Sequence, residues 1–394
     1  MQLVLVQWFS ICGSPGVLAY NSQKSQLVYQ LLEFLGAEGQ NIWGPTELKT
    51  PNQKKLFPPE ELQMYLSGPW LTRFIPSVHV VVFILGFPLN IMAVFMFLFK
   101  TKLKKPAFIF MFNLASTDLF LVIVLPFKIS YHFLGHNWAL GLHLCRFATC
   151  TFFGNIFCSV LLMAAISIDR FLAVVYPMQS LSWRTPRRAS LACGVIWIVS
   201  ISGVIPLMMI AQTEEIAQLN ITTCLDMIDA YKVLQFRYYA FLLSTLFFFI
   251  PLFISIVCYV CIIKKLYSPD VAASPSKKRR AILLSAAVLC SFVICFGPMN
   301  ILFVSPFIIP NPDYGCLFFA FMISLCIGSI NCCIDPLIYY YASSECQRQV
   351  WRFLRLKKNS SFRKDTQEKT DSNATTFSSG LNNFIFQLLL FSVF

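Results

Sequence analysis

Charged residues are scarce in this sequence. Only 12% of the 394 residues are Asp, Glu, Lys or Arg, against roughly 25% in an ordinary soluble domain, which excludes a water-soluble enzyme of this length. Acid is scarcer than base: 18 Asp and Glu stand against 31 Lys and Arg, a formal charge of +13. Histidine occurs four times, as His79, His132, His136 and His143. None has an Asp or Ser partner at a spacing that builds a proton-transfer site, so no enzymatic constellation is found, and surface roles near the extracellular ends are expected for all four. No repeat of fixed period runs along the chain, which argues against an inverted-repeat transporter.

Apolar and aromatic residues are abundant instead: 57% are hydrophobic, 15% are aromatic, and Phe occurs 40 times. Disordered chains are poor in such residues, so a polytopic membrane protein remains. A hydrocarbon layer about 30 Å thick is crossed by roughly 20 apolar residues in a helix. Seven segments meet that length: Phe74–Phe99, Ala107–Phe133, Leu144–Val175, Ala189–Ile210, Tyr238–Ile263, Ala281–Ile309 and Leu317–Tyr341. Barrel strands are shorter and alternate in polarity, so the expected fold is an all-α membrane protein, a seven-transmembrane helix bundle followed by a short amphipathic helix.

The loops alternate in charge. Lys100, Lys102, Lys104 and Lys105 follow span one, and Arg184, Arg187 and Arg188 follow span three. Lys264, Lys265, Lys277, Lys278, Arg279 and Arg280 separate spans five and six, and Arg348, Arg352, Arg355, Lys357 and Lys358 follow span seven. The opposite loops hold Glu214, Glu215, Asp226, Asp229 and Asp313. Basic loops stay in the cytoplasm, which puts the N-terminus outside and the C-terminus inside. The positive excess then reflects orientation and attraction to anionic membrane lipid, not nucleic acid. Residues 1–19 read as a signal peptide, with an apolar Leu3–Ile11 stretch before Val17-Leu18-Ala19. Residues 20–73 read as a flexible extracellular exodomain, 74–341 as the bundle, 342–358 as the amphipathic helix and 359–394 as a Ser/Thr-rich cytoplasmic tail.

Cys145, opening span three, and Cys224, between spans four and five, both face an oxidising compartment. A bridge between them would tie that loop over the mouth of the bundle and leave Cys316 over. Asn220-Ile221-Thr222 in the same loop is a glycosylation signal with Asn220 as acceptor.

Charge inside a bilayer is costly and marks candidate sites. Asp118 lies midway along span two and Asp335 within span seven, and Ser159 stands 11 residues before Arg170 in span three. The oxygens of Asp118, Ser159 and Asp335 suit a small hard cation such as Na+; the alternative is that one Asp is protonated and both bond to neighbouring helices. No other cofactor is expected. Asp169-Arg170-Phe171 ends span three at the cytoplasmic face, where the adjacent carboxylate can pair with Arg170, and Tyr259 and Tyr339 lie at a depth to bond it once displaced. Pro126, Pro206, Pro251, Pro298 and Pro336 lie inside five spans, each expected to free a carbonyl and kink its helix. Phe292 and Phe296, one turn apart beside Pro298, form a candidate aromatic ratchet, with plain core packing as the alternative.

Asn90, Asn113-Leu114-Ala115-Ser116-Thr117-Asp118, Cys145, Asp169-Arg170-Phe171, Trp197, Cys295-Phe296-Gly297-Pro298 and Asp335-Pro336-Leu337-Ile338-Tyr339 together resemble the rhodopsin-like G-protein-coupled receptors, over roughly residues 70–358. Leu125-Pro126-Phe127-Lys128-Ile129-Ser130, the run Ser167–Thr185, Asn220–Cys224 and Cys332–Arg348 resemble the proteinase-activated receptors within that group. The resemblance implies that an extracellular serine protease such as thrombin cuts the exodomain and that the new amino terminus folds back as a tethered agonist. It implies agonist contacts at Asp226, Leu225, Phe153, Phe318 and Phe321, and a heterotrimeric G protein engaging Arg170, Tyr259, Tyr339, Pro177 and Met178. Arrestin and receptor kinases are expected at the Ser/Thr tail.

The sequence also departs from that family. Residues 20–73 lack its Leu-Asp-Pro-Arg cut site and Ser-Phe-Leu-Leu-Arg-Asn agonist, Lys24-Ser25-Gln26-Leu27-Val28 being the nearest stretch. Phe153, Phe318 and Phe321 stand where tyrosines are expected, and Leu225 where His is expected. A second reading therefore keeps the receptor fold but substitutes a diffusible peptide or lipid, or a role as a receptor dimer partner.

Overall fold

With no water in the bilayer to satisfy backbone N–H and C=O groups, a lone crossing segment must pair them within itself, as a helix does. The computed structural model describes residues 68–101, 103, 105–209, 213–216, 220–224, 238–268, 275–305, 314–342 and 347–348. The signal peptide, the exodomain up to residue 67, the tail, and the amphipathic helix apart from residues 342 and 347–348 lie outside the described residues. The helices are α1 (Ile75–Phe95), α2 (Pro106–Phe133), α3 (Gly141–Val175), α4 (Pro177–Trp183), α5 (Pro186–Met209), α6 (Ile250–Tyr267), α7 (Pro275–Val304) and α8 (Tyr314–Ala342). All but the short α4 belong to segments long and apolar enough to cross a membrane.

Wider π turns flank α1 at Trp70–Phe74 and Met96–Thr101 and precede α6 at Thr245–Phe249. The first helical segment thus begins near Trp70 rather than Phe74, because Leu71 is buried with Ile75 against Met322 and Cys326 of α8. Helices α2, α4, α5 and α7 open on proline, whose fixed φ suits a first turn and whose missing N–H has no partner to lose there. Pro126, Pro206, Pro298 and Pro336 lie inside helices as expected, and Pro88 joins them in α1. Pro251 too lies inside its span, the continuous helical run Tyr238–Tyr267, just after a π turn that accommodates its missing donor.

One core runs through the bundle around Leu114, Leu121, Leu162, Phe292, Phe296 and Ile338. α1 packs tightly at Gly86, where a Cβ would meet Cys332 Sγ of α8 at 3.2 Å and Val122 Cγ2 of α2 at 3.3 Å. One turn on, buried Asn90 donates through Nδ2 to the carbonyls of Gly86 (3.0 Å) and Cys332 (2.7 Å). Trp197 Nε1 donates to Asn113 Oδ1 at 3.0 Å and joins α5 to α2.

Outside the bundle lies a hairpin where the sequence suggested only a loop. Strands β1 (Thr213–Ile216) and β2 (Ile221–Cys224) pair antiparallel, Thr213 opposite Cys224 and Ile216 opposite Ile221. Their Thr and Ile residues favour strands, and Asn220 turns at φ 51°, a conformation Asn tolerates.

Candidate functional site

At the outer mouth, Cys145 of α3 is disulfide-bonded to Cys224 of β2. The hairpin is also stitched to the α2–α3 connection. Trp138 N donates to the Thr222 carbonyl at 2.7 Å, Thr222 N to Asn137 Oδ1 at 3.2 Å, and Cys224 N to the Tyr131 hydroxyl at 3.3 Å. Asn220 is exposed at the turn, as a glycan acceptor must be. Cys316, unmatched in the sequence, is disulfide-bonded too. The agonist-site candidates Leu225 and Asp226 lie outside the described residues.

The three phenylalanines of the expected agonist site do not share one pocket, but Phe321 bridges the other two. Phe153 lines a small apolar pocket with Phe157, Gly203, Leu207, Tyr239, Leu243 and Phe303, and the Tyr239 hydroxyl donates to the Gly203 carbonyl. Phe321 meets this group through Phe303, with ring centroids 5.7 Å apart. Phe318 packs with the Leu71–Ile75 cluster between α1 and α8, which Phe321 also joins.

The histidines correct the expectation of surface roles. His143 is exposed, but His79, His132 and His136 are buried in a row where α1 meets the outer end of α2. The cause is the end of α2. Gly135 turns at φ 69°, its N–H meets the His132 carbonyl, and the His136 N–H reaches back to the Tyr131 carbonyl at 3.0 Å. That reciprocal pair is a Schellman cap, and it folds His136 inward against Tyr131, with rings 5.1 Å apart.

In mid-bundle the structure brings Asp118 and Ser159 together through a residue the sequence reading passed over. Asn155, one turn before Ser159 on α3, donates through Nδ2 to Asp118 Oδ1 at 3.1 Å and lies 3.4 Å from Ser159 Oγ. On α8, Asn331 donates to Asp335 Oδ2 at 2.8 Å. All five are buried. Asp118 Oδ2 and Asn331 Oδ1 have no hydrogen-bond partner. The signal for both asparagines was available: each lies four residues before a singled-out polar residue, hence on the same helix face.

At the inner end, Asp169 does not pair with Arg170. Its two oxygens take a fork from Arg184, Nε to Oδ1 at 2.8 Å and Nη2 to Oδ2 at 2.9 Å. The reason is geometric: successive helical residues point about 100° apart, whereas α4 ends at Trp183 and carries Arg184 back toward α3. Arg170 is half-buried and makes no ion pair among the described residues. One turn earlier, Ser167 Oγ lies 2.9 Å from the Tyr259 hydroxyl and 2.9 Å from the Met163 carbonyl. Pro177 and Met178 of α4 are exposed, Met178 to 80%. The Tyr339 side chain lies outside the described residues. Phe292 and Phe296 are buried edge to face at 6.2 Å, with Phe248 5.5 Å from Phe292, and Pro298 and Pro336 lie inside α7 and α8.

A family model described as "7 transmembrane receptor (rhodopsin family)" matches residues 89–339. Proteinase-activated receptor 1 of Homo sapiens is 51% identical over 350 residues, 86% of this chain and 82% of that protein. The Mus musculus protein of the same name is 47% identical over 358 residues, 90% of this chain and 83% of its own length. Proteinase-activated receptor 2 of Bos taurus is 39% identical over 287 residues, 71% of either chain.

Proposed function

Because this chain belongs to the proteinase-activated receptors of the rhodopsin family, we propose that it relays an extracellular cut through its buried polar seam to an inner face built around Arg170. It is a multi-pass plasma-membrane receptor with its N-terminus outside, a receptor rather than an enzyme, activated by proteolysis and coupled to G proteins. The alternative of a diffusible agonist gains nothing from these relatives.

The observation that carries the relay is the Asp169–Arg184 fork. It holds the carboxylate away from Arg170, so the guanidinium is available to a G-protein acceptor or to Tyr259 as α3 and α6 shift. Exposed Pro177 and Met178 on α4 present an apolar contact beside it. Outside, a tethered peptide reaches roughly millimolar effective concentration, so weak contacts with the hairpin and with Phe153 and Phe321 suffice to shift the population toward the coupling state. In the seam, Asp118, Ser159 and Asp335 would hold a Na+ ion, with Asn155 and Asn331 orienting the carboxylates. The unpartnered Asp118 Oδ2 and the all-oxygen donor set fit a hard cation, which would supply the positive charge that two buried carboxylates lack. The Ser/Thr tail serves receptor kinases and arrestin in this reading, and pairing with a second receptor is a further role.

Thrombin or trypsin should raise intracellular calcium in cells expressing the chain, and a chain lacking residues 20–60 should stay silent. No response to any protease alongside a response to added peptide would overturn proteolytic triggering. Arg170→Ala should abolish G-protein activation at near-normal surface expression; unchanged signalling removes Arg170 from the coupling face.

A further inference from the structure

The inner face carries a hydroxyl that the relay does not use. Ser180, Ser182 and Thr185 lie between Pro177 and Pro186. Ser180 is buried and donates to the Pro177 carbonyl. Thr185 is half-buried, and its hydroxyl accepts the Arg188 N–H at 3.3 Å in the first turn of α5. Ser182 is exposed and donates only locally, to the Gln179 carbonyl at 2.9 Å, a bond that water readily replaces at an exposed site. Basic residues crowd its C-terminal side: Arg184, Arg187 and Arg188 follow, the last two exposed. Arg188 Nη1 donates to the Ser182 carbonyl at 3.3 Å, which holds the guanidinium beside that residue. No Asp or Glu occurs between Asp169 and Glu214, so nothing acidic in α4 or α5 opposes an added anion. Met178, the exposed apolar residue of the coupling face, stands four positions before Ser182 and so on the same side of α4.

We propose that Ser182 is a phosphorylation site for a protein kinase that selects basic residues C-terminal to its target, and that the phosphate lowers G-protein coupling. Arginines on that side complement an acidic substrate groove. A helix as short as α4, seven residues, is marginal in water, so its last turn can open into a kinase cleft. There Ser182 Oγ bonds to the γ-phosphorus of a nucleoside triphosphate as the bond from that phosphorus to the β–γ bridging oxygen breaks. The nucleoside diphosphate leaves, and the hydroxyl proton passes to the kinase's base. The product carries a charge of about −1.5 to −2 at neutral pH. Arg188 supplies it with a charge-assisted hydrogen bond. One turn away, the apolar contact at Met178 then has an anion beside it, and a partner that covers Met178 must desolvate that anion at a cost. At the C-terminal end of α4 the phosphate also opposes the helix dipole and loosens the turn that carries Arg184 to Asp169. Lowered coupling rests on the assignment of Met178 to the G-protein face above; the acceptor role of Ser182 does not.

The test uses the purified full-length receptor in lipid nanodiscs, treated with protein kinase C and ATP and then mapped by tandem mass spectrometry. Phosphate is expected on Ser182 and not on Ser180. After thrombin cleavage, treated receptor should drive nucleotide exchange on a purified heterotrimeric G protein several-fold more slowly than mock-treated receptor. Ser182→Ala keeps every hydroxyl of the tail, so it should match the untreated chain before treatment and lose far less activity after it. A map without phosphate on Ser182 overturns the site. Phosphate on Ser182 with unchanged exchange, or an equal loss in Ser182→Ala, overturns its role in coupling. If even the untreated receptor drives no exchange, the coupling reading fails by itself, and the phosphopeptide map still decides whether Ser182 is an acceptor.

Discussion

At the outer end the hairpin is fastened by the Cys145–Cys224 bond and by backbone hydrogen bonds from Trp138, Thr222 and Cys224. At the inner end α3 is held by one carboxylate fork, Asp169 with Arg184, and by the contact of Ser167 with Tyr259. The outer set contains a covalent link that no ligand can exchange. The inner set, beside the apolar packing of Phe171 and Val174 on Ile262 and Leu266, contains polar contacts worth about 1.5–3 kcal/mol when a charge is involved, and each of these has a partner that another protein can replace. A receptor that must keep its agonist platform fixed while its cytoplasmic face rearranges needs this asymmetry. Motion is cheapest where the contacts are exchangeable.

Removing the covalent link is the most severe way to break the contrast. Cys145→Ser with Cys224→Ser should cost about 2–5 kcal/mol, the range for a native disulfide, and should strip most receptor from the cell surface. Normal surface levels with normal protease response would mean that the hairpin's hydrogen bonds hold the mouth unaided. The inner latch should respond differently. Arg184→Ala leaves Asp169 buried without its fork and free to turn to Arg170, so agonist-driven G-protein activation should fall several-fold, corresponding to about 1 kcal/mol at the exchange rate of 1.4 kcal/mol per decade. The double exchange Asp169→Arg with Arg184→Asp should bring activation back toward normal. If the exchange fails and surface expression is intact, the pair is an anchor and not a latch.

The two ends also differ in how much the sequence revealed. Apolar run length and loop charge located seven helices and their orientation, because the bilayer enforces both through desolvation. Cys145 and Cys224 were legible from compartment alone. The Asp169–Arg184 pair was not, since it depends on α4 folding back beneath α3, and a seven-residue helix after Pro177 leaves little periodic signal. The buried histidines were missed for a related reason. Their positions near span ends suggested water, but the Schellman cap at Gly135 and the close packing of α1 on α2 turn them inward. Asn155 was hidden by attention to charge: as an amide it carries none, yet it is the residue that links Asp118 to Ser159.

Two smaller perturbations sharpen the comparison from the middle of the bundle inward. Asp118→Asn removes one carboxylate charge from the seam while keeping its size, so added Na+ should lose its effect on agonist affinity, about a several-fold change at a coupling of roughly 1 kcal/mol. Equal sodium sensitivity in both proteins eliminates the ion from that position. Tyr259→Phe should have the smallest effect on the resting protein. The single Ser167 hydroxyl proton points at the Met163 carbonyl, so Tyr259 is the donor in its contact with Ser167. Phe therefore leaves Ser167 with its carbonyl partner and no orphaned donor, a loss of about 0.5–1.5 kcal/mol. If Tyr259 serves only to fasten α6 to α3, thermal stability should fall by that amount and agonist potency should not change. If its hydroxyl is also exchanged to Arg170 in the coupling state, stability should fall by the same amount and potency should drop several-fold in a calcium assay as well. The second pattern is expected, because the fastening at this end of the molecule is built from contacts that have somewhere else to go.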